Sequence, residues 1–441
     1  MNTIRNMILL FVVGLTLNGC KKTEPKLEGL AFKAQLEVLF PSAEISSITV
    51  QDHFKEAFQL ILKQPLDHNN LEAGTFNHYI YVSHSDYSKP TVLVTEGYSA
   101  SPRTYELSQV LQSNQVMVEY RFYGKSRPEP IPWEYLKNDQ AVEDYHSIVT
   151  KLKQLYKNKW ISTGISKGGE TALIYKSKYP NDMDVAVPYV APLINTQEDI
   201  RTENLINTVG TKACRNKISQ FQRHVLTHRD AVLKDLNAYA EKENMTFTQV
   251  PMAEALEYAV LEFPFSFWQW GGNCDDIPTE GASTNAYFEY LIIISGMGMY
   301  NDEGFNRYLP SFYQHMIELG YYKFDLEPVK DLLQVVKSPS NKRFAPSGVD
   351  LTYNPDYIKN VREFVENMGN HILYINGAYD PWGACAPTPK PHVDALKMVL
   401  EGGHHGTRIK DFSEEDQQKI YDKLREWLGD KVEVFPIKAS K

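Results

Sequence analysis

The run Gly164-Ile165-Ser166-Lys167-Gly168-Gly169 stands directly after an apolar stretch and directly before a helical one. A serine at a tight strand-to-helix turn needs small neighbours, because its strained backbone must approach the adjoining strands where a Cβ would clash. Its hydroxyl is then held clear of the sheet, at the positive end of the following helix. A serine hydroxyl is a poor nucleophile at neutral pH and requires a general base oriented by a third group. In the chain order of serine, acid, histidine that goes with such an elbow, Asp380 holds the acid's place, after the strand-like residues 372–376 and the turn Gly377-Ala378-Tyr379. His404 and His405 follow the next strand-like run and the turn Gly402-Gly403. The chemistry these residues imply is acyl transfer through a covalent acyl-enzyme. A tetrahedral intermediate also needs oxyanion donors. The backbone N–H of Lys167 is one, and the N–H of Tyr98, in the loop Thr95-Glu96-Gly97-Tyr98 after the third strand, is the expected second.

These groups must be held at the ends of neighbouring strands. Between residues 77 and 192, short β-branched or aromatic runs (78–82, 91–95, 115–121, 160–166 and 185–190) alternate with helical stretches at 139–156 and 169–179. That alternation predicts a largely parallel sheet with crossover helices. Strand-like runs return at 372–376 and 397–400, followed by an amphipathic helix over Glu414–Leu428. The predicted fold is α/β, an α/β-hydrolase with a large, mainly helical cap inserted after the sixth strand. The first part of the hydrolase domain is expected over 29–192, the cap over 193–366 and the second part over 367–441. An insertion there sits over the carboxyl ends of the strands, where ligands bind.

Acidic residues (55) outnumber basic ones (46), and no basic run interleaved with aromatics occurs, so nucleic acid is not an expected partner. Residues 1–20 read as a signal segment: Arg5 precedes the apolar residues 7–17, which end in Leu17-Asn18-Gly19-Cys20. This resembles a bacterial lipobox, so Cys20 is the expected lipidation site and the protein is expected to be exported and lipid-anchored in the cell envelope. No later run of apolar residues is long enough to span a bilayer. Of the other cysteines, Cys214 and Cys274 fall in the same inserted segment and are the expected bridge, with Cys385 left over. There is no CxxC or HExxH, so neither a metal nor another cofactor is expected.

The motifs together resemble the prolyl tri/tetrapeptidyl aminopeptidase type of bacterial secreted serine peptidase, distantly related to Pro-X carboxypeptidases. The resemblance rests on Gln64-Pro65-Leu66-Asp67-His68, Gly74-Thr75-Phe76, VEYRFYGKSRPEP from Val118, GISKGGETA from Gly164, YVAP from Tyr189, NGAYDPW from Asn376 and GGHHGTRI from Gly402. It implies peptide substrates and release of short N-terminal peptides after proline. Such an enzyme must hold a free α-amino group, for which Glu96, Glu170, Asp275 and Asp276 are the candidates. It must also seat a proline ring, for which the aromatic residues 263–270, Trp268 and Trp270 among them, are the candidates. Within the resemblance His405 matches the histidine before Gly-x-Arg-Ile and is the expected base. The carboxypeptidase relatives favour the earlier histidine of such a pair, here His404. Because fold does not fix substrate, an esterase or lipase and a catalytically silent binding lipoprotein stand as alternatives.

Overall fold

A computed structural model describes residues 26–429 and 431–437. The signal segment and Cys20 lie outside the described residues. The chain forms strands β1 (Glu44–Ser47), β2 (Glu56–Pro65), β3 (Thr75–His84), β4 (Thr91–Thr95), β5 (Asn114–Val118), β6 (Trp160–Ile165) and β7 (Val185–Tyr189). It continues with the two-residue strands β8 (Glu198–Asp199) and β9 (Tyr321–Tyr322), then β10 (Ile372–Gly377) and β11 (Ala395–Leu400). β8 and β9 pair only with each other, and the rest form one sheet in the order β1-β2-β3-β5-β4-β6-β7-β10-β11. β1, β2, β3 and β5 are joined by antiparallel pairings. From β5 to β11 every pairing is parallel.

This order is that of an α/β-hydrolase sheet with one extra edge strand, β1. When β1 is not counted, β7 is the sixth strand and the inserted helices follow it. Every residue of β4, β5, β7 and β10 is buried, as befits strands covered on both faces, which therefore read as continuous apolar runs. The predicted runs coincide with β3, β4, β5, β6, β7, β10 and β11, although those over 115–121, 160–166 and 185–190 overrun the ends of β5, β6 and β7 by three, one and one residues. The helix predicted over 139–156 forms as Asn138–Leu152, and the one over 169–179 begins two residues earlier, as Lys167–Lys178. β2, the ten-residue partner of β3, was not anticipated. Its apolar-polar alternation is short of strict, and its end, Gln64-Pro65, stood out as a motif instead.

One sheet face is covered by helices Phe32–Leu39, Asn138–Leu152, Lys167–Lys178 and Pro355–Asn367, whose residues share a core with the strands. The other is covered by Glu106–Leu111 and Glu414–Leu428. All but the last residue of Pro355–Asn367 lies inside the span expected to be cap, yet Ile358, Val361 and Val365 pack into the sheet-face core, so by its packing this helix goes with the sheet. The helices between β8 and β9 build a separate core around Phe221, Val225, Leu256, Phe263, Phe267 and Leu291. A Cys214–Cys274 disulfide with its Cα atoms 5.4 Å apart ties two of its segments, and Cys385 is a buried free thiol.

The sheet changes winding direction between β4 and β6, which are neighbours although β5 intervenes in sequence. Carboxyl ends at such a switch point open into a crevice where ligands bind. The loop after β4 and the turn after β6 meet there.

Candidate active site

Ser166 joins β6 to the helix Lys167–Lys178 with φ 57° and ψ −126°, a conformation costly for any residue with a Cβ and sustained only by its surroundings. Those surroundings are tight. The Ser166 N–H donates to the Tyr189 carbonyl at the end of β7 (2.9 Å), and the Ser166 carbonyl accepts from Glu170 N–H in the first helical turn (2.9 Å). A Cβ at Gly164 would lie 2.3 Å from the carbonyl carbon of Gly168, and one at Gly168 would lie 2.5 Å from the Thr95 carbonyl oxygen. Only glycine lets the helix start press this closely on β4 and β6.

Asp380 follows β10 and is 1 % exposed. Its Oδ1 accepts from the Trp382 N–H (3.2 Å), and its Oδ2 accepts from His405 Nδ1 at 2.7 Å. Because the carboxylate offers only acceptors, the His405 proton sits on Nδ1 and Nε2 is left as the basic nitrogen. The His405 N–H donates to the Gln269 carbonyl (3.0 Å), and its ring meets the Trp270 ring edge-on with centroids 5.6 Å apart. His404 takes another direction: its Nδ1 accepts from the Gly406 N–H (3.0 Å), and its ring lies against Gly271. The alternative base is therefore not brought to Asp380.

Lys167 is the first residue of its helix, so its N–H has no acceptor within the helix and projects from the positive end. The loop carrying Tyr98 is pressed against it: a Cβ on Gly97 would lie 2.6 Å from Gly168 N and 2.7 Å from the Lys167 carbonyl carbon. The buried Glu119 fastens this loop from behind, accepting from the Ala100 N–H (2.9 Å) and the Ser126 N–H (2.7 Å).

A cavity of about 590 Å³ contains Ser166 and His405 together and is walled by Glu96, Tyr98, Tyr105, Tyr123, Trp270 and Tyr308, with Arg103, Arg307 and Arg408. Among the described residues Glu96 is the one carboxylate in that wall. Burial pushes its pKa up, and Arg103 and Tyr105 hold it down by donating to Oε1 at 2.7 Å and 2.8 Å. Both bonds fall on one oxygen, leaving Oε2 for a further cation. Trp270, 57 % exposed, also faces this space.

Other expected ligands lie elsewhere. Glu170 is buried beneath the elbow, where desolvation raises its carboxyl to about 8, and it does not line the cavity. Trp268 is buried in the cap core, edge-on to Tyr379 and pressed on Gly210. Phe263, Phe265 and Phe267 are buried with it, so the aromatic run is cap core except for its end. Asp275 is exposed beside Lys217, and Asp276 is exposed as well. Tyr123 and Arg408 lie within the motifs VEYRFYGKSRPEP and GGHHGTRI, whose pattern alone does not mark them as cavity-lining. Arg307 and Tyr308 come from the helix Asp302–Gln314, where no sequence signal marked them.

His68 and Arg121, both within the sequence motifs, prove to be framework. Arg121 donates Nε to Asp144 Oδ2 (2.7 Å) and a second N–H to Oδ1 (2.9 Å), and His68 Nε2 reaches the same carboxylate at 2.7 Å. The pair is almost fully buried, so losing one partner would strand a charge at a cost of about 3–5 kcal/mol.

The family model described as PS-10 peptidase S37 matches residues 43–439. The prolyl tri/tetrapeptidyl aminopeptidase of Streptomyces mobaraensis is 33 % identical over 382 residues, covering 83 % of this chain and 79 % of that protein. A Caenorhabditis elegans protein described as prolyl carboxy peptidase like protein 5 is 27 % identical over 175 residues, 34 % of each chain. Among solved structures, the proline iminopeptidase of Mycobacterium smegmatis aligns with 87 % of this chain and 99 % of its own, at 12 % identity and a TM-score of 0.39.

Proposed function

Because the chain belongs to the PS-10 peptidase S37 family and is a serine peptidase, we propose that it is an exopeptidase releasing short peptides from free N-termini, cleaving after proline. The observation that carries the reading is the His405–Asp380 bond of 2.7 Å, opening on the same cavity as the Ser166 elbow. His405 Nε2 takes the Ser166 proton as Oγ attacks the scissile carbonyl. The N–H groups of Lys167 and Tyr98 bind the oxyanion. The imidazolium, stabilised by Asp380, then protonates the leaving amine, and water repeats the sequence on the acyl-enzyme. Support for the proline preference comes from the relative in Streptomyces and from the rings of Tyr98, Tyr308 and Trp270 in the cavity wall.

The free Oε2 of Glu96 is the proposed seat of the substrate's ammonium. A hydrogen bond to a charged group contributes about 1.5–3 kcal/mol, so both N-terminal acetylation of the substrate and Glu96→Gln are expected to lower kcat/KM by about ten- to hundredfold. A mass-spectrometric digest of mixed peptides, free and acetylated, tests this. The expected products are fragments released from free N-termini after a proline at the third or fourth residue. Equal cleavage of acetylated peptides, or internal cleavage, would rule out the N-terminal reading.

The proposed setting is the bacterial cell envelope, with a lipid on Cys20 as the anchor. Among the described residues no helix is long and apolar enough to cross a membrane. Cys20→Ser is expected to leave the protein uncleaved or free of lipid. A processed, acylated mutant in the membrane fraction would exclude Cys20 as the attachment point.

A further inference from the structure

The Lys167 side chain takes no part in the proposed proton transfers, yet it is buried at 2 % exposure directly behind the oxyanion donors. Its Nζ donates to the Gly97 carbonyl at 2.9 Å and sits over the Tyr120 ring, 3.6 Å from the centroid, with the Tyr123 and Tyr98 rings at 5.1 Å and 5.7 Å. The Gly97 carbonyl and the Tyr98 N–H belong to one planar peptide unit, in which C=O and N–H point in opposite directions. Whatever fixes the carbonyl therefore aims the N–H.

We propose that the Lys167 side chain is a positioning residue for the oxyanion site, its ammonium holding the Gly97 carbonyl so that the Tyr98 N–H is both aimed at the developing oxyanion and polarised toward it. A single residue then serves the site twice, by its own N–H and by orienting the second donor. The inference rests on the serine-peptidase mechanism proposed above. In a water-excluded setting a charge on one end of a peptide unit strengthens the donor at the other. The cation is held by aromatic faces rather than by a paired carboxylate. The ionisable groups facing it are Glu170 on its own helix, Glu318 and His315 on the turn His315–Leu319, and the phenols of Tyr98, Tyr120 and Tyr123. Burial lowers the Lys167 ammonium to about 7, partly offset by Glu170 and Glu318. It also raises those two carboxyls to about 8 and about 7 and drives His315 to about 3. The ammonium is thus present below about pH 7 and lost above it, so kcat should carry an alkaline limb there.

The test compares Lys167→Met and Lys167→Gln with wild type on a proline-containing peptide and on a peptide aldehyde, whose hemiacetal oxygen occupies the oxyanion position. Deleting one oxyanion donor outright costs about 10²–10³ in kcat. Misaiming one should therefore cost Lys167→Met up to about a hundredfold in kcat, with KM within about twofold and aldehyde affinity falling in step. Lys167→Gln, a donor without charge, should retain more activity but lack the alkaline limb. The proposal is overturned if kcat falls with aldehyde affinity unchanged, if Lys167→Met stays within about threefold of wild type, or if Lys167→Gln keeps the alkaline limb. Should neither variant fold, a wild-type kcat flat from about pH 6 to about pH 9 overturns it. A wild type with no peptide turnover would instead refute the peptidase mechanism itself.

Discussion

Ser166→Ala is expected to lower kcat by about a million-fold, the scale at which removing a triad nucleophile acts, while the melting curve superimposes on that of wild type. The two halves of this expectation have separate causes. The hydroxyl is the only group lost, and among the described residues Ser166 Oγ forms no hydrogen bond that holds the fold. What keeps the turn in place is backbone: the bond to the Tyr189 carbonyl, the bond from Glu170 N–H, and the contact of Gly164 with Gly168. Alanine meets the same positive φ as serine, so no new strain is introduced. Retention of more than about a tenth of wild-type kcat would remove Ser166 from the mechanism.

The second large effect separates two adjacent histidines. His405→Gln is expected to lose about four orders of magnitude or more in single-turnover acylation, because the base and its hydrogen bond to Asp380 go together. His404→Gln should stay within about tenfold of wild type. Its imidazole accepts from the Gly406 N–H and packs against Gly271, so its removal disturbs the loop rather than the proton path. A larger loss at His404 would reverse the assignment. Asp380→Asn should follow His405, at about 10⁴-fold, since the amide favours the wrong tautomer.

The elbow was legible in the sequence because its physics is local: the glycines around Ser166 are demanded by backbone contacts within a few residues, and the apolar runs of β4 to β7 follow from burial on both faces. The choice between His404 and His405 was not legible from spacing, because consecutive residues in an extended turn point in different directions and only the fold decides which meets Asp380. Glu170 was misplaced for a related reason. It follows Ser166 by one helical turn, yet it is 1 % exposed and does not line the cavity that holds Ser166. Trp268 was misread as site rather than core. It lies three and seven residues beyond the buried Phe265 and Leu261, the spacing of one helix face turned to the interior, whereas Trp270 stands past the helix end and is free to face the cavity. Arg307 and Tyr308 reach the site only because the cap helix Asp302–Gln314 docks over it, and how two separate cores dock is carried by no short-range pattern.

Whether Ser166 is a nucleophile driven by His405 is decided by labelling the protein with a fluorophosphonate and mapping the adduct by mass spectrometry. One equivalent of label is expected, on Ser166, forming at a rate that collapses in His405→Gln and persists in His404→Gln. A label on another residue, or labelling of Ser166 at the wild-type rate in His405→Gln, would contradict it.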